Sequence, residues 1–136
     1  MIIGCDTGFF VEFIKGNPVT RQLSEAAARD EHQLVSSIIC IYELKKLGLE
    51  GMVTKNAAFK VADNIPSLCT LVPLDDAALN LVEQAARLSH GNDLSMADAL
   101  ILGSVLTMNA QRLYTVDNDL AKYKGRLKVI NLRGKI

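Results

Sequence analysis

The sequence has little of what several large classes of protein depend on. It contains two histidines and no tryptophan, and its three cysteines stand far apart with no C-x-x-C spacing. Zinc sites and disulfide frameworks need clusters of these residues, so buried free thiols in a reducing compartment are expected instead. No apolar run approaches the roughly 18 residues of a membrane span, and the N-terminus lacks the basic lead of a signal peptide. The sequence therefore predicts a soluble cytoplasmic protein without a membrane segment.

Several catalytic signatures are also missing. The chain has no glycine-rich phosphate loop, no Walker lysine and no G-x-S-x-G nucleophile elbow. These absences argue against an NTPase, a dinucleotide-dependent enzyme and a serine hydrolase.

Charge of neither sign is in excess, but it is unevenly distributed. Basic and acidic residues number 15 each, yet no acid follows Asp119. Six basic residues do: Lys122, Lys124, Arg126, Lys128, Arg133 and Lys135. This tail therefore carries about +6 and residues 1–119 about −6. Two interpretations remain open, a lysine-protected edge strand and a basic rim beside an acidic body.

The pattern that is present predicts one α/β domain. The chain has 136 residues, 49% hydrophobic and 22% charged, enough for a single core spanning 1–136. Strands are predicted at 1–5, 34–38, 70–74, 112–116 and 127–132. Helices are predicted from Phe9 to about 16, at 19–31, from 41 to 47, and at 54–63, 77–89 and 95–108. Because strands alternate with helices, we expect a three-layer α/β/α fold with a parallel central sheet of about four to five strands.

Acidic residues follow or neighbour several of these strands. Asp6 and Asp117 come directly after strands, with Asp119 two residues further on, while Glu43 and Asp98 lie early in helices. Since ligands collect beyond the carboxyl ends of parallel strands, we expect these carboxylates to converge at one edge of the sheet.

Each acid also has a purely structural interpretation. Asp6 and Asp117 are suitable helix caps, Asp98 follows Ser95 at capping-box spacing, and Glu43 fits a solvated helix face. Clustered carboxylates, however, repel one another unless a cation joins them. A pocket of acids without histidine or cysteine suits Mg²⁺ or Mn²⁺, and the chemistry typical of such a pocket is hydrolysis or transfer at phosphate.

The same residues resemble a known family. The segments Ile-Ile-Gly-Cys-Asp6-Thr7, Tyr42-Glu43-Leu44, Ala97-Asp98-Ala99-Leu100-Ile101 and Thr115-Val116-Asp117-Asn118-Asp119-Leu120 occur in the order and approximate spacing of PIN-domain ribonucleases. By length, the chain is most similar to the VapC-type toxins of prokaryotic toxin–antitoxin pairs. The resemblance covers residue 2 to about 131. Gly8 departs from the pattern, because Asn or Ser often stands there.

The resemblance implies a Mg²⁺- or Mn²⁺-dependent endoribonuclease that hydrolyses RNA phosphodiester bonds. The family's four catalytic acids fall on Asp6, Glu43, Asp98 and Asp117. Asp6, Asp98 and Asp117 would hold the metal, with Asp119 as an additional or alternative last ligand. Glu43 would complete the site or orient the attacking water. The family often places hydroxyls near the metal, which here are those of Thr7 and Thr115.

The resemblance also implies partners. RNA binding would depend on phosphate contacts, for which Lys122, Lys124 and Arg126 are nearest in sequence to Asp117, since aromatic residues make up only 5% of the chain. A type II toxin would form a homodimer and bind a cognate antitoxin.

Two other functions are compatible with the same residues. A catalytically idle PIN-like interaction module would use its acids only as caps, although all four acidic positions are intact here. A metal-dependent phosphatase of the haloacid-dehalogenase kind would need a second Asp two residues after Asp6, and Gly8 stands there.

Overall fold

Strands and helices alternate along the chain as the sequence predicts. The computed structural model describes residues 1–134, so Lys135 of the predicted basic tail lies outside the described residues. The strands are β1 (Ile2–Cys5), β2 (Gln33–Ser36), β3 (Thr70–Leu71), β4 (Arg112–Thr115) and β5 (Lys128–Asn131). The helices are α1 (Thr7–Ile14), α2 (Pro18–Ala28), α3 (Ile38–Leu49), α4 (Lys55–Leu68), α5 (Leu79–Asn92) and α6 (Met96–Thr107). Short 3₁₀ turns span Asp76–Ala78 and Leu120–Lys122.

The five strands form one parallel sheet in the order β3-β2-β1-β4-β5. This confirms the predicted fold class and the upper value of the predicted strand number. The central strand β1 pairs with β2 on one side and with β4 on the other. Chain order reverses at this point, which in open α/β sheets opens a crevice at the carboxyl ends of the strands.

Side chains alternate between the two faces of the sheet and give two cores. Ile3 and Cys5 belong to the core that contains residues of α1, α3 and α4. Val35 and Leu113 belong to the other core, which contains residues of α5 and α6. Helix α6 has an unbroken buried run from Ile101 to Leu106, which explains why its sequence lacks a polar face over that stretch.

Helix α4 is longer than predicted. The sequence pattern predicts an end at residue 63, whereas the helix runs Lys55–Leu68 and contains Pro66 in its last turn. A proline so near the end removes one helical hydrogen bond only, and the buried face that extends to Ile65 stabilises the helix past residue 63.

Two elements in the second half differ from their predicted bounds. Strand β3 ends at Leu71 and not at residue 74. Helix α5 runs to Asn92 and not to residue 89, and Asp93 takes the left-handed conformation at its end. Leu81 and Ala85 form its buried face, whereas Val82 is 53% exposed.

The three cysteines are buried free thiols, as predicted. Within residues 1–134, no helix combines the length and the apolar character that crossing a membrane requires.

Candidate metal centre

Asp6 lies at the centre of the crevice, directly after β1. Its backbone is extended, and its Oδ1 accepts a hydrogen bond from the Phe9 amide at 3.0 Å, so it caps α1. Its Oδ2 accepts a hydrogen bond from the Thr115 hydroxyl at the end of β4. The structural interpretation of Asp6 as a cap is therefore confirmed, but capping uses only one of its oxygens.

Thr115 also organises the loop after β4. Its Oγ1 accepts the Asp117 amide at 2.8 Å, and Asp117 Oδ1 in turn accepts the Asp119 amide at 2.8 Å. The loop consequently turns back on itself and brings two carboxylates to the carboxyl edge of the sheet. Thr115 thus contacts both Asp6 and the loop that carries Asp117.

Asp98 reaches the same edge from α6. Ser95 caps this helix by accepting the Asp98 amide at 3.2 Å, which leaves the Asp98 carboxylate in the first helical turn. Carboxylate oxygens of Asp98, Asp117 and Asp119 lie within 4.8 Å of one another. Two segments far apart in sequence thus supply three acids to one cluster.

Glu43 faces the crevice from the middle of α3 and lines the same cleft as Asp6 and Asp98. The Thr7 hydroxyl donates a hydrogen bond to Glu43 Oε1 at 2.5 Å. Thr7 follows Asp6 in α1, so this contact ties α3 to the segment that carries the central acid. Four of the five predicted acids and Thr7 therefore line one crevice, and Thr115 lies behind Asp6. Asp119 joins Asp98 and Asp117 in the close cluster, of which Asp6 and Glu43 are not members.

The acids of this crevice are held in conditions that oppose ionisation. The pKa of Asp6 is raised to about 7, mainly by burial and also by the charges of Asp98 and Asp117, although the hydrogen bonds from Thr115 and Phe9 lower it. Burial and the adjacent Asp117 also raise the pKa of Asp98. Such a cluster takes up positive charge favourably, either as protons or as a cation.

The donor set of this crevice fits Mg²⁺ or Mn²⁺. Hard divalent ions prefer carboxylate oxygens, and every candidate ligand here is an aspartate or a glutamate. Asp117 and Asp119 each bring a carboxylate oxygen within 4.8 Å of one from Asp98, so both are candidates for the last ligand.

The crevice opens into a cleft of about 470 Å³ whose other walls the sequence did not reveal. Lys15, Lys46 and Arg133 line it together with the acids, and Tyr42, 62% exposed, stands at its side. Glu12 binds Arg133 from α1, with Oε2 to Nη2 at 2.9 Å. The only local signal for Glu12 is that it is a lone acid in an otherwise apolar helix.

Gly8 is required by the close approach of the loop after β4. A Cβ at this position would lie 2.4 Å from Val116 Cγ2 and 3.2 Å from Asp6 Oδ1. Contacts below 3.0 Å with a stiff β-branched side chain force a displacement. Glycine at this position, where the family often has Asn or Ser, therefore fits the packing of Val116 against α1.

The predicted RNA-binding residues are separated in the structure. Lys122 lies at the centre, 3.2 Å from Asp119 Oδ1. Arg126 instead donates to the Leu106 carbonyl at 2.7 Å and to Asn109, at the C-terminal end of α6. That end is roughly 12 Å along the helix from Asp98 at 1.5 Å per residue. Arg126 is therefore engaged in a structural contact away from the acids, while Lys124 is exposed.

The chain matches one family model, described as PIN domain, over residues 3–126. No curated protein matches the chain.

Solved structures with the same fold include VapC-type proteins. VapBC2 from Rickettsia felis, solved bound to a DNA fragment from its promoter, superposes with a TM-score of 0.70 at 22% identity, over 96% of this chain and 98% of the other. VapBC-1 from nontypeable Haemophilus influenzae gives a TM-score of 0.62 at 20% identity, over 98% and 100%. FitAcB from Neisseria gonorrhoeae gives 0.57 at 17% identity, over 97% and 98%. At these identities the likeness establishes the fold.

Proposed function

We propose a function for this chain from one premise, which is that it belongs to the PIN domain family. PIN domains are a family of nucleases. The chain is a Mg²⁺- or Mn²⁺-dependent endoribonuclease that hydrolyses phosphodiester bonds of RNA. The observation that carries this proposal is the convergence of carboxylates from β1, α3, α6 and the loop after β4 on one crevice.

The acids divide into two roles. Asp6, Asp98, Asp117 and Asp119 would hold the metal, and Glu43 faces them from α3. A divalent ion bound there would lower the pKa of a water molecule. It would also neutralise the negative charge that develops on the phosphoryl oxygens. Thr115 orients Asp6 and the Asp117 loop, and Thr7 orients Glu43, so the carboxylates are held before substrate arrives.

Water, and not the RNA 2′-hydroxyl, is the nucleophile in this proposal. Glu43 has one oxygen tied to Thr7 and is positioned to orient a water with the other. Cleavage by water leaves 5′-phosphate and 3′-hydroxyl ends. A substrate with one 2′-deoxy residue at the cut should therefore still be cleaved there, and resistance together with 2′,3′-cyclic ends would contradict the proposed mechanism.

The biological role we propose is that of the toxin in a type II toxin–antitoxin pair. The supporting facts are the VapC-type fold and the full-length coverage of the VapBC chains. The toxin would act on RNA in the cytoplasm, form a homodimer and be blocked by a cognate antitoxin protein.

The test of the nuclease proposal is cleavage of single-stranded RNA with Mn²⁺, Mg²⁺ or chelator. Asp98→Asn should lower turnover by at least about 100-fold, judged from the size of typical metal-site effects. Asp76→Asn, an exposed acid of the 3₁₀ turn before α5, is the matched control and should cleave like the wild type. Wild-type turnover by Asp98→Asn would overturn the assignment and favour an idle interaction module. A preparation that hydrolyses phosphomonoesters but no RNA would favour the phosphatase alternative.

A further inference from the structure

Three basic residues, Lys15, Lys46 and Arg133, line the cleft together with its acids and are called here its basic wall. Lys15 follows α1, Lys46 lies in the last turn of α3, and Arg133 follows β5. The three residues come from distant parts of the chain. The fold therefore brings cations to the same cleft in which it gathers carboxylates.

Arg133 is the cation whose position is fixed. Its Nε and Nη2 donate to Glu12 Oε2 at 3.1 and 2.9 Å, and its backbone amide donates to Asn131 Oδ1 at 2.8 Å. Its side chain nevertheless remains 51% exposed on the side of the cleft. The guanidinium is thus both anchored and accessible.

Glu12 provides the anchor at an energetic cost. Only 7% of the residue is exposed, and its Oε1 accepts a hydrogen bond from the Asn17 side-chain Nδ2 at 3.2 Å. A buried carboxylate in an ion pair is seldom more stabilising than an apolar side chain of similar volume. Stability alone therefore gives no reason for an acid on the buried face of α1, whereas orienting Arg133 does.

The remaining hydrogen-bonding capacity of Arg133 suits a phosphate. A guanidinium carries five N–H groups, and Glu12 takes two of them, which leaves three for an incoming anion. Arginine binds phosphate oxygens with paired hydrogen bonds, and an arginine that is already ordered loses less entropy on binding.

We propose that Arg133, oriented by Glu12, binds a backbone phosphate of single-stranded RNA beside the bond that is cut. This inference rests on the proposed nuclease function and names how the substrate is held. Acids and three basic residues line the cleft together, so without its basic wall the cleft would repel a polyanion. Arg133 is the fixed contact, and Lys15 and Lys46 add positive charge beside it.

The test is binding of a short fluorescent single-stranded RNA by anisotropy in chelator, over a range of salt concentrations. Arg133→Ala should bind about tenfold more weakly, the order expected for one charge-assisted hydrogen bond. It should also lower the slope of log affinity against log salt by about 0.7, the value for one phosphate contact to a single strand. Arg133→Lys should restore the slope and only part of the affinity. Arg29→Ala is the matched control, because Arg29 also uses Nε and Nη2 to bind a carboxylate, that of Glu31, outside the cleft.

Glu12→Leu tests the orienting role separately. Loss of the Glu12 charge would by itself strengthen RNA binding, so weaker binding by this variant shows that the orientation of Arg133 matters, and stronger binding would refute it. If Arg133→Ala does not fold, Arg133→Ala with Glu12→Leu replaces it, since that pair of substitutions leaves no unpaired buried charge.

The outcomes separate this proposal from the nuclease proposal. Wild-type cleavage of RNA, with Arg133→Ala binding RNA like Arg29→Ala, would overturn the phosphate contact and leave the nuclease function intact. No cleavage, but RNA binding that depends on Arg133 with the expected slope, would support the contact and overturn the nuclease. Polyglutamate binding that is lost in Arg133→Ala while RNA binding is unchanged would assign Arg133 to an acidic protein partner and refute the proposal.

Discussion

Two carboxylate sites, one lining the cleft at Asp98 and one behind its wall at Glu12, differ in what neutralises them. Glu12 has Arg133 at 2.9 Å and Lys15 at 3.8 Å, whereas Asp98 lies against Asp117 and Asp119. Burial by itself would raise the pKa of Glu12, but the hydrogen bonds from Arg133 and Asn17 hold it below its usual value. Burial and the adjacent Asp117 raise the pKa of Asp98.

The opposite pKa shifts follow from where each site finds its counter-charge. Glu12 has its counter-charge within the fold, so it needs nothing from solvent. The cluster at Asp98 has one lysine contact, Lys122 at 3.2 Å from Asp119, and is otherwise acid against acid. In the proposed function a divalent cation neutralises this second site, so exchanging or removing the counter-charges should affect the two sites differently.

Placing a built-in cation in the acid cluster should have the largest effect. Asp119→Lys, at a position whose side chain is 59% exposed, would give Asp98 and Asp117 the kind of partner that Glu12 has. We expect RNA cleavage to fall by about 10- to 100-fold, the range typical when the groups supporting a metal site are changed. Turnover with Mn²⁺ measures this effect, and Asp76→Lys, at an exposed acid of the 3₁₀ turn before α5, is the control. Unchanged turnover would show that Asp119 takes no part in the centre.

Removing the hydroxyl that organises the cluster should have the next largest effect. Thr115→Val keeps the volume but removes the donor to Asp6 and the acceptor of the Asp117 amide. We expect about a tenfold loss of turnover, since ligand orientation degrades while every carboxylate remains. Thr107→Val, on α6 away from the crevice, is the control. Equal turnover in both variants would argue that the acids position themselves.

The paired site should respond to pH and not to metal. The pKa of Glu12 lies below the ordinary 4.5, so folding favours its ionised form. Its contribution is therefore complete above about pH 4.5 and is lost as pH falls through the lowered folded-state pKa. Glu12→Gln should lower the free energy of unfolding at neutral pH by about 1 kcal/mol, because water screens the half-exposed Arg133, and the difference should shrink in acid. Urea unfolding at several pH values measures it, and a difference that grows in acid would contradict the assignment.

Charge reversal at Lys122 and Lys124 should have the smallest effect. The sequence predicts that these lysines contact RNA phosphate, and the structure places Lys122 beside Asp119. We expect RNA binding to weaken a few-fold with a shallower salt dependence. Anisotropy titrations compare this variant with Arg126→Ala, whose arginine contacts the end of α6 and should leave binding unchanged. If the charge-reversed variant and Arg126→Ala show the same salt dependence of binding, the lysines only protect an edge strand and do not contact RNA.

The sequence is most informative about residues that stand at the carboxyl ends of strands. Asp6 and Asp117 come directly after apolar runs, so the topology of a parallel sheet is enough to predict that they meet. The strands are also predictable, because short apolar runs in the sequence mark where buried strands lie. The end of α4 is not predictable in this way, because the buried face that stabilises the helix outweighs Pro66.

The basic wall is not predictable from local pattern. Glu12 and Arg133 are 121 residues apart, and nothing near either residue in sequence indicates the other. In the sequence Arg133 is only one charge of a basic tail, and Arg126 of the same tail contacts the far end of α6. Pairing between distant charges is set by the sheet order, which brings β5 and α1 to the same cleft.

The most direct test of the central claim is the thermal melting of wild type and Asp98→Asn, each in chelator and in Mn²⁺. An ion that binds only the folded state stabilises it by RT ln(1 + [metal]/Kd), or about 2.7 kcal/mol at a hundredfold excess over Kd. For a chain of this size that corresponds to a rise of order 10 °C in Tm. Asp98→Asn should melt slightly higher than wild type in chelator, because one repelling charge is gone, and should gain less from Mn²⁺. A wild type whose Tm stays the same across a wide range of Mn²⁺ concentrations would contradict the account.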